Sequence, residues 1–285
     1  MLLVQSNQLL DQAINHHAEG RHREAEQLYR DVLAEQPNSA AARHGLGVIA
    51  LQSGRHAEAI AWITQAVKLE PRVAMYQSNL GEAFRGAGRL PEAIVHLRKA
   101  LSLRPDLPSA LNNLGLALRQ SGQTKAALEC FRQAIQIAPN YGQALSNLGL
   151  TLQDLKQTDE SVQVLRRAVE VEPSMALAHY NLANVLTEKK EFDAAMSSYR
   201  RAIELQPDYA EAHNNLAAAY DQLDLIDHAI ECYRQVIQLR PDWLEARCNL
   251  SIALQMAGRL AEAIEVAEKA VSVKPDASAP NWNWG

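Results

Sequence analysis

Apolar and small side chains recur along this chain at the spacing of a helix face, and the whole pattern returns every 34 residues. Within each repeat, apolar or small residues occupy positions 3, 7, 8, 10 and 11, a 3.6-residue periodicity that predicts an amphipathic helix. A second group of small or bulky residues at positions 20, 24 and 27 predicts a second helix. The pattern therefore predicts an all-α protein built from helix pairs.

Prolines fix the register of this repeat, because one of them stands at position 32 each time. Eight prolines are spaced 34 residues apart: Pro37, Pro71, Pro105, Pro139, Pro173, Pro207, Pro241 and Pro275. The predicted repeats are therefore residues 6–39, 40–73, 74–107, 108–141, 142–175, 176–209, 210–243 and 244–277. The chain divides into a repeat region, residues 1–277, and residues 278–285, a tail or a truncation point.

Residues that end or begin helices recur in the same register. Position 15 is often glycine, which is expected to end the first helix: Gly20, Gly54, Gly88, Gly122 and Gly258. Pro at position 32 is expected to end the second helix. The next residue is often a good helix cap, and Asp208 and Asp242 are each followed three residues later by Glu, the spacing of a capping box.

Small residues occupy three further columns, positions 8, 20 and 27, and would let the two helices of a repeat approach closely. Position 8 is always small: Ala13, Gly47, Gly81, Gly115, Gly149, Ala183, Ala217 and Ser251. Together with the bulky position 24, Pro 32 and the period of 34, these columns resemble the tetratricopeptide repeat (TPR) family over residues 6–277. The resemblance implies a right-handed α-solenoid, a superhelix of eight stacked helix hairpins.

Asparagine recurs at position 6, although its amide competes for backbone hydrogen bonds and makes it a poor helix-interior residue. The six asparagines are Asn79, Asn113, Asn147, Asn181, Asn215 and Asn249. Position 6 lies about 100° from the apolar position 7, so it shares a flank of the helix with positions 2, 9 and 13. In the TPR family this flank lines the concave groove, so the resemblance predicts a ladder of amides there.

An amide offers two donors and an acceptor, so the ladder could bind the N–H and C=O groups of an extended peptide with little sequence preference. Apolar residues at position 9 would lie between the amides: Val48, Leu116, Leu150 and Ile252. Glu82 and Asn184 interrupt that column. A second interpretation is that each Asn bonds a neighbouring repeat and only sets the stacking angle.

Two stretches narrow the resemblance, "ALNNLGLALRQSGQTKAALECFRQAIQIAPN" and "AEAHNNLAAAYDQLDLIDHAIECYRQVIQLRPD". They resemble the repeat arms of O-GlcNAc transferases and SPINDLY glycosyltransferases. That resemblance implies an arm that selects protein substrates through the six asparagines, ahead of a domain that transfers sugar. The first two repeats depart from the pattern with Asp11 and Gly45 at position 6.

Composition excludes several other classes of protein. The 285 residues are 47% hydrophobic and carry a net charge of −5, so neither disorder nor nucleic-acid binding is expected. No segment has the apolar length of a membrane helix. The three cysteines, Cys130, Cys232 and Cys248, are scattered and imply no disulfide framework. A cytoplasmic protein is therefore expected. No catalytic motif is found, and no cofactor or metal is expected. His179 and His213 share position 4, but packed helix histidines are favoured over a metal pair.

The first and last repeats of the chain differ in whether a cap is expected to cover their apolar face. The degraded first repeat is typical of a solvent-facing cap, so residue 1 is expected to be a natural start. The last helix keeps Leu260, Ile264 and Val266 with no following hairpin to cover them. Either the chain is cut from a longer protein whose next repeat or catalytic domain docks there, or Trp282 and Trp284 fold back, or a second copy covers the face. The alternative function is therefore a stand-alone scaffold that self-assembles through this face.

Overall fold

Short turns of three or four residues join the helices of this protein into a continuous series. The computed structural model describes residues 2–273, with side chains described from residue 7 to residue 270. Within residues 2–273 there are sixteen helices: α1 (Leu2–Ala18), α2 (His22–Glu35), α3 (Ala40–Gln52), α4 (His56–Leu69), α5 (Ala74–Gly86), α6 (Leu90–Leu103), α7 (Pro108–Gln120), α8 (Thr124–Ile137), α9 (Gly142–Asp154), α10 (Thr158–Val171), α11 (Ala176–Glu188), α12 (Phe192–Leu205), α13 (Ala210–Asp221), α14 (Ile226–Leu239), α15 (Leu244–Met256) and α16 (Leu260–Val273).

The odd-numbered helices from α3 to α15 begin 34 residues apart, so the sequence period is also the structural period. Each odd helix is the first helix of a repeat, and each even helix is the second. The all-helical repeat fold predicted from the sequence is confirmed. The chain divides into two compact units, unit 1 (residues 1–147) and unit 2 (residues 148–285).

Each unit has its own apolar core, and position 24 supplies the largest side chains at its centre. In unit 1, Tyr29, Ile63, Leu97 and Phe131 at this position are at most 3% exposed. In unit 2 the corresponding residues are Leu165, Tyr199 and Tyr233, which are at most 2% exposed. The columns of alanine at positions 20 and 27 surround them and are largely buried.

Glycine at position 8 is required where the two helices of a repeat come closest. A Cβ atom on Gly81 of α5 would lie 2.5 Å from Leu97 Cγ and 3.0 Å from the carbonyl oxygen of Ala93, both on α6. The small residues of the sequence pattern therefore act through interhelical distance, as predicted.

The turn between the two helices of a repeat uses a left-handed residue at position 15. Glycine occupies it in five repeats, with φ of 70° to 81°. Where glycine is missing, Lys156, Lys190 and Asp224 adopt the same conformation, with φ of 61°, 62° and 56°. The geometry of the fold thus overrides the preference of these three residues.

The predicted helix caps are wrong at Asp208 and Asp242. The N-cap residues of α13 and α15 are Tyr209 and Trp243, and neither makes a side-chain capping bond. Glu211 pairs instead with Arg240, at 2.6 Å.

In five repeats the side chain at position 4 contacts the turn before the first helix, because it hydrogen-bonds the carbonyl oxygen of the proline six residues earlier. The donors are Arg43, Gln77, His179, His213 and Arg247, which bond Pro37, Pro71, Pro173, Pro207 and Pro241 respectively.

At the C-terminal end, α16 exposes part of the apolar face noted in the sequence. Leu260 and Ile264 are 57% and 47% exposed, whereas Val266 packs against the core of unit 2. Trp282 and Trp284, the candidates for covering this face, lie outside the described residues, as does the whole segment 278–285.

Candidate functional site

All six asparagines at position 6 lie on odd-numbered helices, each directly before a buried leucine at position 7. We call the surface that contains them the odd-helix face; it consists of positions 2, 5, 6, 9, 12 and 13 of the odd helices. Asn181 is buried at 3% exposure, whereas the other five are half-buried: Asn79, Asn113, Asn147, Asn215 and Asn249.

The amide nitrogens of four ladder residues bond to the preceding repeat. Asn79 Nδ2 lies 2.9 Å from His44 Nε2, and Asn147 Nδ2 donates to Asn112 Oδ1 at 2.9 Å. The other two pairs are Asn113 Nδ2 with Glu82 Oε2 at 3.1 Å, and Asn215 Nδ2 with both Tyr180 Oη at 3.1 Å and Asn184 Oδ1 at 3.0 Å. The ladder amides therefore connect neighbouring hairpins within each unit.

The acceptor in the preceding repeat always comes from position 5 or position 9. Glu82 and Asn184, which interrupt the apolar column at position 9, are two of these acceptors. Where position 9 is apolar, as at Val48 and Leu116, the acceptor is at position 5, namely His44 and Asn112. The second interpretation of the sequence included a bond to a neighbouring repeat, but it did not identify columns 5 and 9 as the source of the acceptors.

This pairing fixes the direction in which the ladder amides point, which the sequence alone did not predict. The N–H side of each paired amide faces a neighbouring hairpin. In Asn215 both N–H groups are used, and its Oδ1 accepts from Asn214 Nδ2 across a long 3.4 Å. A carboxamide oxygen has two lone pairs, so Asn215 Oδ1 keeps a second acceptor position.

His44 is neutral in this arrangement. An amide nitrogen can only donate, so the His44 ring nitrogen that faces Asn79 must accept. The ring stacks on Tyr76 with centroids 4.3 Å apart. Burial, with a further contribution from His17, lowers the pKa of His44 to about 4.

Apolar side chains lie between the amides. Val48, Leu116 and Leu150 are half-buried and Ile252 is 47% exposed. Three more exposed apolar residues on the same face were missed by sequence reasoning: Met75, Leu177 and Met256, which are 39%, 48% and 59% exposed. They stand at positions 2 and 13, at the edges of the flank.

A pocket of about 390 Å³ opens on the odd-helix face of unit 2. Its lining comes from α11, α12 and α13: Asn184, Thr187, Glu188, Tyr199, Asn215 and Ala218. One predicted ladder residue, Asn215, is part of this pocket, and the other five lining residues were not predicted.

Hydrogen bonds fix the side chains around this pocket. Tyr199 Oη donates to Asn184 Oδ1 at 2.7 Å, and Asn215 donates to the same oxygen. Thr187 Oγ1 lies 3.3 Å from Tyr199 Oη and donates to the Ala183 carbonyl at 2.9 Å. Burial raises the pKa of Tyr199 to about 12, so its hydroxyl stays protonated.

Glu188 is the charged residue of the pocket lining. Its carboxylate accepts from Gln153 Nε2 at 2.9 Å and pairs with Lys156 Nζ at 3.2 Å. These two hydrogen bonds lower the pKa of Glu188, which is therefore ionised at neutral pH. The Lys156 side chain is 79% exposed, so this ion pair is held only weakly.

Tyrosines at position 24 contact position 12 in three repeats. Besides Tyr199, Tyr29 Oη lies 3.4 Å from His17 Nδ1, and Tyr233 Oη donates to Asp221 Oδ2 at 2.7 Å. Burial raises the pKa of Asp221. The pocket thus belongs to a recurring arrangement in which a core hydroxyl reaches the odd-helix face.

Residues considered for other chemistry have structural roles in this fold. His179 and His213 bond proline carbonyls, each at 3.1 Å. The three cysteines are free, and burial raises the pKa of each thiol, that of Cys232 to about 11. Within residues 2–273, no three His, Cys, Asp or Glu residues are grouped as metal ligands, and no helix is long and apolar enough to span a bilayer.

A helical-repeat protein with a polar, partly apolar face of this kind has the fold of a protein-interaction scaffold. Models of the tetratricopeptide repeat match residues 210–242 and 243–274. A TPR model described as the C-terminal domain of cilia and flagella-associated protein 70 matches residues 4–223. The chain therefore belongs to this tetratricopeptide repeat family, as the sequence columns predicted. No curated protein matches the chain.

Several solved structures are similar to this chain. A crystal structure of MamA is 27% identical over 57% of this chain and 95% of its own, with a TM-score of 0.54. One chain in the crystal structure of the APC/C hetero-tetramer Cut9-Hcn1 is 16% identical, with a TM-score of 0.69. The match covers 95% of this chain and 53% of that chain. YrrB, described as a TPR protein with an unusual peptide-binding site, is 24% identical over 65% of this chain, with a TM-score of 0.52.

Proposed function

We propose that the odd-helix face binds an extended peptide or protein segment and that the chain is a binding module rather than an enzyme. The observation that carries this proposal is the pocket on α11–α13, where a ladder amide held by two hydrogen bonds presents its oxygen beside exposed polar groups. A pre-ordered acceptor loses little entropy when a ligand binds, so it contributes more to affinity than a mobile one.

The exposed apolar residues of the same face support this proposal. Leu177 and Ile252 would lose water-exposed surface against a bound segment, at about 25 cal/mol per Å² of apolar area removed from water. The description of the similar protein YrrB as peptide-binding agrees with such a role. We place the protein in the cytoplasm, on the composition and cysteine usage of the chain.

The test compares two variants that both lose the hydrogen bond between Asn215 and Tyr180. Only one of them also loses the Asn215 oxygen, the acceptor proposed to bind the ligand. Linear peptides that bind the native chain would be selected from a random displayed library and measured by fluorescence polarisation. Asn215→Ala removes the amide, so affinity is expected to fall roughly tenfold. Tyr180→Phe removes one internal partner of Asn215 but leaves its bond to Asn184 and its oxygen, so it is expected to lose much less affinity than Asn215→Ala. If no peptide is selected, or if both variants bind like the native chain, the proposal fails.

The two interpretations of the asparagines make different predictions for the triple variant Asn147→Ala, Asn181→Ala and Asn215→Ala. If the ladder binds ligand, peptide affinity falls by more than the loss of stability explains. If it only sets the stacking angle, the free energy of unfolding drops while the folded fraction binds peptide normally. Denaturant melts of the native chain and the triple variant give the free energy of unfolding and the folded fraction. Peptide titrations without denaturant then give the affinity of that folded fraction and separate the two outcomes.

A finer proposal makes this chain the substrate-recruiting arm of a SPINDLY or O-GlcNAc transferase-like protein. It is supported by the sequence resemblance and by the asparagines Asn79, Asn113, Asn147, Asn181, Asn215 and Asn249. Sequencing the gene beyond the codon for Gly285 tests it, because a glycosyltransferase domain must follow. A reading frame that continues into any other domain contradicts it.

The second candidate function is a scaffold that self-assembles through α16. It is favoured by the exposure of Leu260 and Ile264 on that helix. Sedimentation at two protein concentrations would show a dimer that is lost when both residues are replaced by Glu. A monomer at both concentrations contradicts this candidate.

A further inference from the structure

We propose that the pocket on α11–α13 is a subsite for a basic side chain, arginine in preference to lysine, of the bound segment. The inference rests on the proposed function and names the residue class that this part of the face selects. It follows from which hydrogen-bonding groups around the pocket are already used and which remain for a ligand.

The internal hydrogen bonds leave mainly acceptors. Both N–H groups of Asn215 are taken by Tyr180 and Asn184, which leaves the second lone pair of its oxygen. The Glu188 carboxylate has about four acceptor sites and uses two of them, for Gln153 and Lys156. A ligand group with several N–H donors therefore fits this pocket better than an acceptor does.

The remaining donor in the lining is the amide nitrogen of Asn184. Its oxygen accepts from Tyr199 and Asn215, which fixes the orientation of the amide and turns the nitrogen the other way. This nitrogen can bond a main-chain carbonyl of the same ligand segment. The pocket thus offers acceptors for a cationic head group and a donor for the backbone that carries it.

Charge favours a cation at both short and long range. Glu188 is the charged residue of the lining, and because its partner Lys156 is 79% exposed, this weak ion pair offsets only part of the carboxylate charge. Residues 148–285 hold 21 acidic and 13 basic side chains, a net charge of −8, whereas residues 1–147 hold 12 acidic and 15 basic side chains, a net charge of +3. A cationic segment is therefore attracted to unit 2 before it docks.

The shape of the pocket suits a long side chain with an apolar stem. Its volume of about 390 Å³ lies within the range of small-ligand sites. Ala218, an exposed residue of the lining, supplies apolar surface for methylene groups. Arginine is preferred because its planar guanidinium carries five N–H donors and can reach Glu188 and the Asn215 oxygen together, whereas lysine is a compact point charge.

The experiment compares two small probes of nearly identical shape. N-acetyl-arginine amide carries the guanidinium, and N-acetyl-citrulline amide replaces it with a neutral urea. Each would be titrated at millimolar concentration into the ¹⁵N-labelled chain while the side-chain amide signals of Asn184 and Asn215 are followed by NMR. The arginine probe is expected to shift both signals in a saturable manner and to bind roughly tenfold more tightly than the citrulline probe.

Two charge-removing variants locate the effect. Glu188→Gln is expected to remove the preference for arginine, and it should fold normally because its amide oxygen can still accept from Gln153 and the lost ion pair is exposed. Glu204→Gln is the matched control, since Glu204 is an exposed residue of α12 that pairs with Arg201 and does not line this pocket. It should retain the preference.

The inference is overturned if both probes shift the two signals equally, if neither does, or if Glu188→Gln keeps the preference for arginine. Failure of the proposed function looks different. In that case the arginine probe would still bind the pocket, while the displayed library would yield no peptide whose affinity depends on Asn215.

Discussion

At the scale of single residues, the ladder amides act first within the protein. Asn113 illustrates this, because its Nδ2 donates to Glu82 Oε2 on the preceding repeat at 3.1 Å. A side chain that must donate there cannot be replaced by its isostere aspartate, whose oxygens only accept at neutral pH. The recurring asparagine is therefore explained in part by the donor that each hairpin contact needs.

Asn113→Asp is expected to lower the free energy of unfolding by about 1–3 kcal/mol, because a hydrogen bond is lost and two carboxylates face each other. Chemical denaturation of the native chain and the variant measures the loss. Adding Glu82→Gln supplies a new donor and should recover most of it. If the double variant is no more stable than Asn113→Asp alone, the pairing does not account for the asparagine.

The position of each amide could be predicted from the sequence, but the group it bonds could not. The period of 34 and the helical repeat place position 6 beside the packed position 7 of each first helix from the sequence alone. Whether Asn79 meets position 5 or position 9 of the preceding repeat depends on how two hairpins stack. The pocket around Glu188 and Tyr199 was missed for the same reason, since three helices build it.

His44 should make the stability of the protein depend on pH. Its pKa is lowered to about 4 in the folded chain, against 6.5 for an ordinary histidine. Well above pH 6.5 both states are neutral and His44 contributes no pH dependence. Between pH 6.5 and about 4 the unfolded chain takes up a proton that the folded chain excludes, so stability falls with falling pH, by up to about 3 kcal/mol.

His44→Gln keeps an acceptor for Asn79 and does not titrate. The difference in unfolding free energy between the native chain and this variant should therefore change between pH 6.5 and 4 and be flat above pH 7. Urea melts at closely spaced pH values measure it. A difference that stays constant across this range would mean that His44 is not held neutral by the fold.

At the scale of helices, the turn at position 15 shows how the fold constrains local sequence. Five repeats use glycine there, but Lys190 holds a φ of 62°, a conformation that costs a side-chain-bearing residue about 1 kcal/mol. The helix pairs were predictable because glycine in this column marks five of the turns and the proline column marks the end of each second helix. The cap residues were not, because Tyr209 and Trp243 begin their helices without a capping side chain.

Lys190→Gly is expected to raise the free energy of unfolding by roughly 0.5–1 kcal/mol, because it removes the strain of the left-handed backbone. Ala87→Gly is the control at an exposed turn position with a φ of −82°, where glycine relieves no strain. The control should lose stability through the added freedom of the unfolded chain. Thermal melts of both variants decide the sign, and a loss in Lys190→Gly would contradict the argument.

At the scale of the molecule, each repeat should be stabilised by contacts with its neighbours rather than by one central core. Hydrogen bonds such as Asn147 to Asn112 and Asn215 to Tyr180 join consecutive repeats, and the buried cluster that contains Leu165, Tyr199 and Tyr233 spans several repeats. In such a stack the stability is a sum of repeat terms and nearest-neighbour terms. The loss of stability caused by a substitution in one repeat should therefore decrease in repeats further along the chain.

Leu97→Ala and Leu165→Ala test this in unit 1 and unit 2, since both leucines are fully buried at position 24. Each substitution leaves a cavity and should cost about 2–5 kcal/mol locally. Hydrogen exchange measured by mass spectrometry should show lost protection in α3–α8 for Leu97→Ala, with α13–α16 unchanged. For Leu165→Ala the loss should centre on α10–α12 and leave α1–α4 protected. Uniform loss throughout the chain in either variant would mean that all repeats unfold as one cooperative body, and that a ligand bound at the α11–α13 pocket would stabilise every helix equally.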